Sequence, residues 1–198
     1  MTRFFVPLLA LSGAIHALES NSTSAIAAIP TDVDLAPPNL DDLEIEHVKL
    51  NKYIYLIRHG EKPDDEDDKY LSPRGEQRAA CLAAKWKAAG FTNLYCPDFD
   101  PDTNKRGRAC QTLRPLSKAI PLPLNSDFDR DDPDGVAAAL LEAVQDGPVL
   151  LAWEHKVLTD IGEALGGASK TYPKKEFDLI WTFDPVARKF LRDTKQHC

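Results

Sequence analysis

The sequence predicts an α/β protein, a three-layer α/β/α sandwich built around a mostly parallel sheet. Two observations carry this. Short apolar runs of strand length alternate along the chain with longer helical patterns, and the runs at 53–57 and 148–152 are apolar on both faces, as in strands covered by helices on each side. A β-α-β-α order of this kind implies right-handed crossovers.

The first strand spans 53–57. Ser72 then offers an N-cap with Pro73 at the first helical position, and the Ala/Leu/Lys-rich run after it stops at Gly90. A short strand follows at 93–96. The second helix is expected over 105–119, with Ala109, Thr112, Leu113 and Leu116 on one face, and Pro115 inside it should kink or shorten it. A third strand at 120–124 carries Pro121 and Pro123, which restrict it to an edge or make it irregular. A third helix is read at 134–144, a fourth strand at 148–152, a fourth helix at 158–165 ended by Gly166 and Gly167, and a last strand at 177–183. Trp153 and Trp181 lie in apolar strand patterns and are expected in the core.

The chain has 198 residues and 43% hydrophobic content, enough for one core. Its net charge of -7 argues against broad attraction to nucleic acid or an anionic membrane, so any basic site must be local. Residues 1–17 read as a secretory signal, with Arg3 before a short apolar stretch, and imply a secreted protein with no membrane segment in its mature form. Residues 18–50 read as a linker or arm, carrying a glycosylation acceptor at Asn21, and 51–198 as the folded domain. The four cysteines show no metal-type spacing. In an oxidising compartment one disulfide is plausible, Cys96 to Cys110 being nearest in sequence, although Cys81 and Cys110 lie within helices where buried thiols are the default.

In open α/β sheets ligands bind beyond the carboxyl ends of the strands. Arg58, His59 and Gly60 follow the first strand, Glu154 and His155 follow the fourth, and Arg106, Gly107 and Arg108 open the second helix. If strands one and four are neighbours, two imidazoles and one or two guanidiniums meet. Guanidiniums repel a metal cation and bind phosphate oxygens bidentately, so this set suits phosphate and no metal. Positive neighbours lower an imidazole pKa, which would leave His59 neutral and able to attack phosphorus, with Gly60 allowing close backbone approach. His155 is suited to act as a cationic donor to the transferring oxygens. Glu61 either contacts substrate or solvates its loop, Lys62 either meets the phosphate or offsets that loop, and the acidic run 64–68 reads as solvated.

These residues match a known pattern. "LIRHGEKP", "LSPRGEQRA", "RGRACQT" and "VLLAWEHKVLTDIGEALGG", in that order, resemble the histidine phosphatase superfamily, also called phosphoglycerate mutase-like, over roughly 52–183. The resemblance implies His59 as nucleophile, Arg58 and Arg108 as phosphate ligands, His155 as the second pocket histidine, and no cofactor. More narrowly, "DRDDPDG", "WEHK" and "YPKKEFDLIWT" look like a group of small secreted fungal members. Mutases and sugar-phosphate phosphatases of the superfamily usually place a catalytic Glu after the third strand, often with a covering insertion. Here that region is only "NSDFDRDDPDG".

The general acid is therefore sought among Asp129, Asp131 and Asp132, with Asp129 first, and at Glu154, of which strand alternation would turn only one of Glu154 and His155 to the pocket. The expected activity is phosphomonoester hydrolysis of a small phosphorylated substrate with a mildly acidic optimum. The rival is a secreted anion-binding protein without catalysis, and a phosphoglycerate mutase is disfavoured by the signal and the short connection.

Overall fold

The computed structural model describes residues 51–65 and 67–198. The predicted signal 1–17, the arm 18–50 and Asn21 lie outside the described residues.

The chain runs β1 (Ile54–Arg58), α1 (Pro73–Trp86), β2 (Asn93–Tyr95), α2 (Arg108–Ala119), β3 (Leu124–Asn125), α3 (Pro133–Ala143), β4 (Val149–Trp153), α4 (His155–Ala164), β5 (Leu179–Asp184), β6 (Lys189–Phe190) and β7 (Thr194–Lys195). The sheet order is β3-β2-β4-β1-β5-β6, with β7 also on β5. β3, β2, β4 and β1 are parallel, and β5 runs antiparallel to β1.

The period of two in β1 and β4 divides the core into the two outer layers. Ile54, Leu56, Val149, Leu151 and Trp153 pack with Val136, Leu140, Leu158 and Ile161 of α3 and α4. Ile57, Leu150 and Ala152 face the other way, onto Leu82, Leu113 and Leu116 of α1 and α2. Trp153 and Trp181 are fully buried.

The boundaries differ from the expected ones where backbone chemistry intervenes. α1 ends at Trp86, and Gly90 serves the turn beyond it at φ 82°. α2 starts at Arg108 because Arg106 takes φ 68°, a left-handed conformation incompatible with a helix. Pro115 does not shorten α2, which runs to Ala119. β3 keeps only the two residues after Pro123, at the sheet edge. α4 begins at His155, three residues earlier than expected, so Glu154 is its N-cap.

The thiols expected in α1 and α2 are disulfides instead: Cys96 pairs with Cys110, and Cys81 with Cys198. The first pins the end of β2 to the start of α2, and the second pins the last residue to α1.

Candidate active site

β1 and β4 pair in register, Arg58 beside Trp153, so the chain leaves both strands at the same level. The His59 amide donates to Trp153 O at 3.0 Å, which carries the ladder one step past β1. His59 is 7% exposed. Its Nδ1 lies 2.7 Å from Gly60 O. A carbonyl only accepts, so Nδ1 carries the proton and Nε2 keeps its lone pair. Burial drives the His59 pKa from 6.5 to about 3, and Arg58, Arg108 and His155 push it the same way.

The backbone of this loop is clamped from two sides. The Gly60 amide donates to Thr112 Oγ1 at 2.8 Å, and that hydroxyl donates to Arg108 O at 2.8 Å. A Cβ at Gly75 would meet Glu61 O at 2.4 Å, so the glycine of "PRGE" lets α1 lie directly on the loop after β1. Thr112 is fully buried, on the α2 face that the sequence predicts. Its spacing four residues after Arg108 was the available signal.

A stability limb follows from the buried neutral imidazole. The folded His59 resists protonation that the unfolded chain accepts below about pH 6.5, so folding stability is complete above that pH. It falls by about 1.4 kcal/mol per unit as pH drops toward 3. His155, also lowered, adds the same sign. Urea denaturation of wild type and His59→Gln between pH 4.5 and 7 isolates the His59 part: the variant should show a distinctly shallower dependence, and parallel curves would refute it.

Three groups surround His59. The Arg58 guanidinium stacks on the Phe177 ring at 3.8 Å and donates through Nη1 to Lys174 O, while its buried Nε has no hydrogen-bond partner. A charged donor left unsatisfied there is suited to an anion. Arg108 donates Nε to Tyr70 O at 3.0 Å and Nη2 to Asp68 O, so the acidic loop holds it through carbonyl groups. His155, the first residue of α4, has Nδ1 2.8 Å from Glu154 Oε1, without hydrogen-bond alignment. Burial first and Arg58 second lower its pKa, against the pull of Glu154. The expected cationic His155 is thus driven toward neutrality in the free protein.

His59, Arg108 and Glu154 line two adjoining cavities. One, about 760 Å3, also takes in Arg58, His155, Lys174 and Phe177. The other, about 340 Å3, extends toward Arg106 and Arg130. Glu154 and His155 both reach the first cavity, because β4 has ended and strand alternation no longer applies. Lys174 and Phe177 escaped the sequence reading because they come from a distant segment, ahead of β5.

The remaining sequence candidates are engaged by other groups. Glu61 sits at the rim of the larger cavity, but its carboxylate is engaged by Arg78, at 2.9 Å to Nε and 2.8 Å to Nη2, and by Arg74 at 3.1 Å. Asp129 lies outside both cavities, 57% exposed, with Oδ2 2.5 Å from Arg106 Nη1. The Asp131 amide and Arg106 hold its carboxyl below the usual range, the reverse of what a proton donor at mild pH needs. Asp131 pairs with Arg130, and Asp132 caps α3 by accepting from the Gly135 amide at 2.9 Å.

Arg78 ties this loop to the C-terminus. It is 4% exposed and also donates Nη1 to Asp178 Oδ1 at 2.8 Å and to Gln196 Oε1 at 3.1 Å. Cys198 closes the arrangement through its amide to Asp178 and its disulfide to Cys81. Replacing Arg78 by Leu leaves two carboxylates without their shared partner. The expected loss is about 3–5 kcal/mol, read as a lower urea midpoint at unchanged slope. A midpoint within experimental error of wild type would rule the network out as a structural element.

No protein-family model matches the chain, and no curated protein sequence does. Among solved structures, the protein histidine phosphatase SixA complexed with tungstate superposes with a TM-score of 0.53 at 17% identity, covering 73% of this chain and 97% of its own. SixA from Agrobacterium tumefaciens superposes at 0.50 with 14% identity, covering 74% and 99%. At these identities the likeness concerns the fold. The folded part of this chain has the phosphoglycerate mutase-like fold of those proteins, with His59 and His155 at the carboxyl ends of its central parallel strands.

Proposed function

We propose that the protein is a phosphomonoester hydrolase of the histidine phosphatase type, working through a phosphohistidine on His59. The observation that carries this is the buried, neutral His59 whose Nδ1 is spent on Gly60 O, which leaves Nε2 unprotonated between two guanidiniums. The tungstate complex of SixA, a protein of the same fold, accords with an oxyanion site.

In the proposed reaction the phosphoryl oxygens dock on Arg58 and Arg108, and the bound dianion draws the His155 pKa upward so that it donates a hydrogen bond. His59 Nε2 forms a bond to phosphorus as the bond to the leaving oxygen breaks. The Glu154 carboxyl gives its proton to that oxygen. Water then attacks the phosphohistidine, losing its proton to Glu154, and phosphate and free His59 result. No step draws on a metal or organic cofactor. A neutral His59 beside a carboxyl acid that must hold its proton until transfer corresponds to a mildly acidic optimum. A substrate of small size and a secreted location, with both disulfides formed, fit this reading.

The test is hydrolysis of p-nitrophenyl phosphate from pH 4 to 8 with chelator present, followed by rapid quench into alkali and mass spectrometry of the His59 peptide. Turnover with an acid-labile phosphate on that peptide is expected. Inorganic phosphate binding without turnover would instead favour an anion-binding protein.

A further inference from the structure

Resting on the phosphatase reading, we propose that the smaller cavity is a second anion subsite, so that the substrate is a phosphomonoester carrying a separate phosphate or carboxylate group. Beyond His59, Glu154, Pro97 and Ala109, this cavity is lined by Lys69, Lys105, Arg106, Arg108 and Arg130. Five cations from three separate segments therefore face one carboxylate in about 340 Å3, in a chain whose net charge is -7. A simple phosphate group already has Arg58, Arg108 and His155, which leaves Lys69, Lys105, Arg106 and Arg130 beyond it. The cations of the smaller cavity exceed what one phosphoryl group can use, and their shared border with the nucleophile places a second anion within reach of the same molecule.

The segment carrying them is shaped to present them. Asn104 is 4% exposed, donates Nδ2 to Lys69 O at 2.8 Å, and accepts the Gly107 amide on its carbonyl at 2.9 Å. A Cβ at Gly107 would lie 2.2 Å from the Asn104 amide oxygen. This tight turn holds Arg106 in its left-handed conformation, with Lys105 and Arg108 on either side. The carboxylates that offset Arg106 and Arg130, Asp129 and Asp131, sit outside the lining with 57% and 50% exposed side chains, and the Lys105 charge acts on exposed Asp100. Exposed pairs of this kind are weak and give way to a bound anion.

The experiment compares the affinity of propylphosphonate with that of α,ω-alkane bisphosphonates of two to six methylenes, by calorimetry on the full protein. It is run on wild type, Lys105→Gln, Arg130→Gln and, as a charge control on a remote face, Lys118→Gln, with p-nitrophenyl phosphate turnover followed in parallel. At the best linker length the bisphosphonate should bind about 10- to 100-fold more tightly than the monophosphonate. That ratio should fall toward one in Lys105→Gln or Arg130→Gln and persist in Lys118→Gln. Equal affinities at every linker length, or a ratio that survives both cavity substitutions, would overturn the subsite. A ratio that behaves as expected without p-nitrophenyl phosphate turnover would overturn the phosphatase reading and leave the subsite standing.

Discussion

His59→Ala should abolish turnover, with a loss of about 10^4-fold or more expected for removal of the proposed covalent nucleophile. The expectation rests on division of labour around one ring. Arg58 and Arg108 are oriented by carbonyl groups of other segments, Lys174 O for the first and Tyr70 O and Asp68 O for the second, so the imidazole is not what holds them. Phosphate affinity should therefore stay within about tenfold of wild type while hydrolysis disappears. Calorimetry with inorganic phosphate, beside single-turnover kinetics, checks both halves. A variant that retains a tenth of wild-type turnover would require a different nucleophile.

Glu154→Gln gives the next largest effect, and its signature depends on the leaving group. An alkyl phosphate expels a strongly basic alkoxide that needs a proton in the transition state, so its turnover should fall by about 10^2- to 10^4-fold. p-Nitrophenolate leaves without that help and should lose far less in its phosphorylation step. Asp129→Asn serves as the contrast, because its carboxylate is bound to Arg106 outside both cavities and should leave the leaving-group dependence unaltered. Equal losses for alkyl and aryl substrates in Glu154→Gln, or a selective loss in Asp129→Asn, would return the acid role to the loop after β3.

Much of the architecture was legible because it depends on local chemistry. The doubly apolar runs at β1 and β4, the Ser72-Pro73 start of α1 and the glycines beyond the helices each specify a short-range preference that the tertiary structure respects. The errors came where distant groups intervene. Nothing near Cys81 indicates its partner 117 residues away, and nothing near Arg58 announces the Phe177 ring beneath it. The position of Asp129 outside both cavities was not legible for a related reason: the "DRDDPDG" loop has carboxylates in plenty, but which of them faces a cavity depends on where Arg106 and Arg130 lie.

By itself the sequence determined the order of strands and helices as far as β5, without β6 and β7, and it placed Arg58, His59, Glu154, His155 and Arg108 at element ends, since periodicity and capping act over a few residues. Only the tertiary structure decided what those side chains are. The parallel pairing of β1 with β4 brings His59 next to Glu154, and burial among guanidiniums makes His59 neutral. The Arg78 network ties the Glu61 carboxylate into the scaffold. Protonation and partnership are properties of the surrounding field and solvent exclusion, which arise from chain segments far apart in sequence.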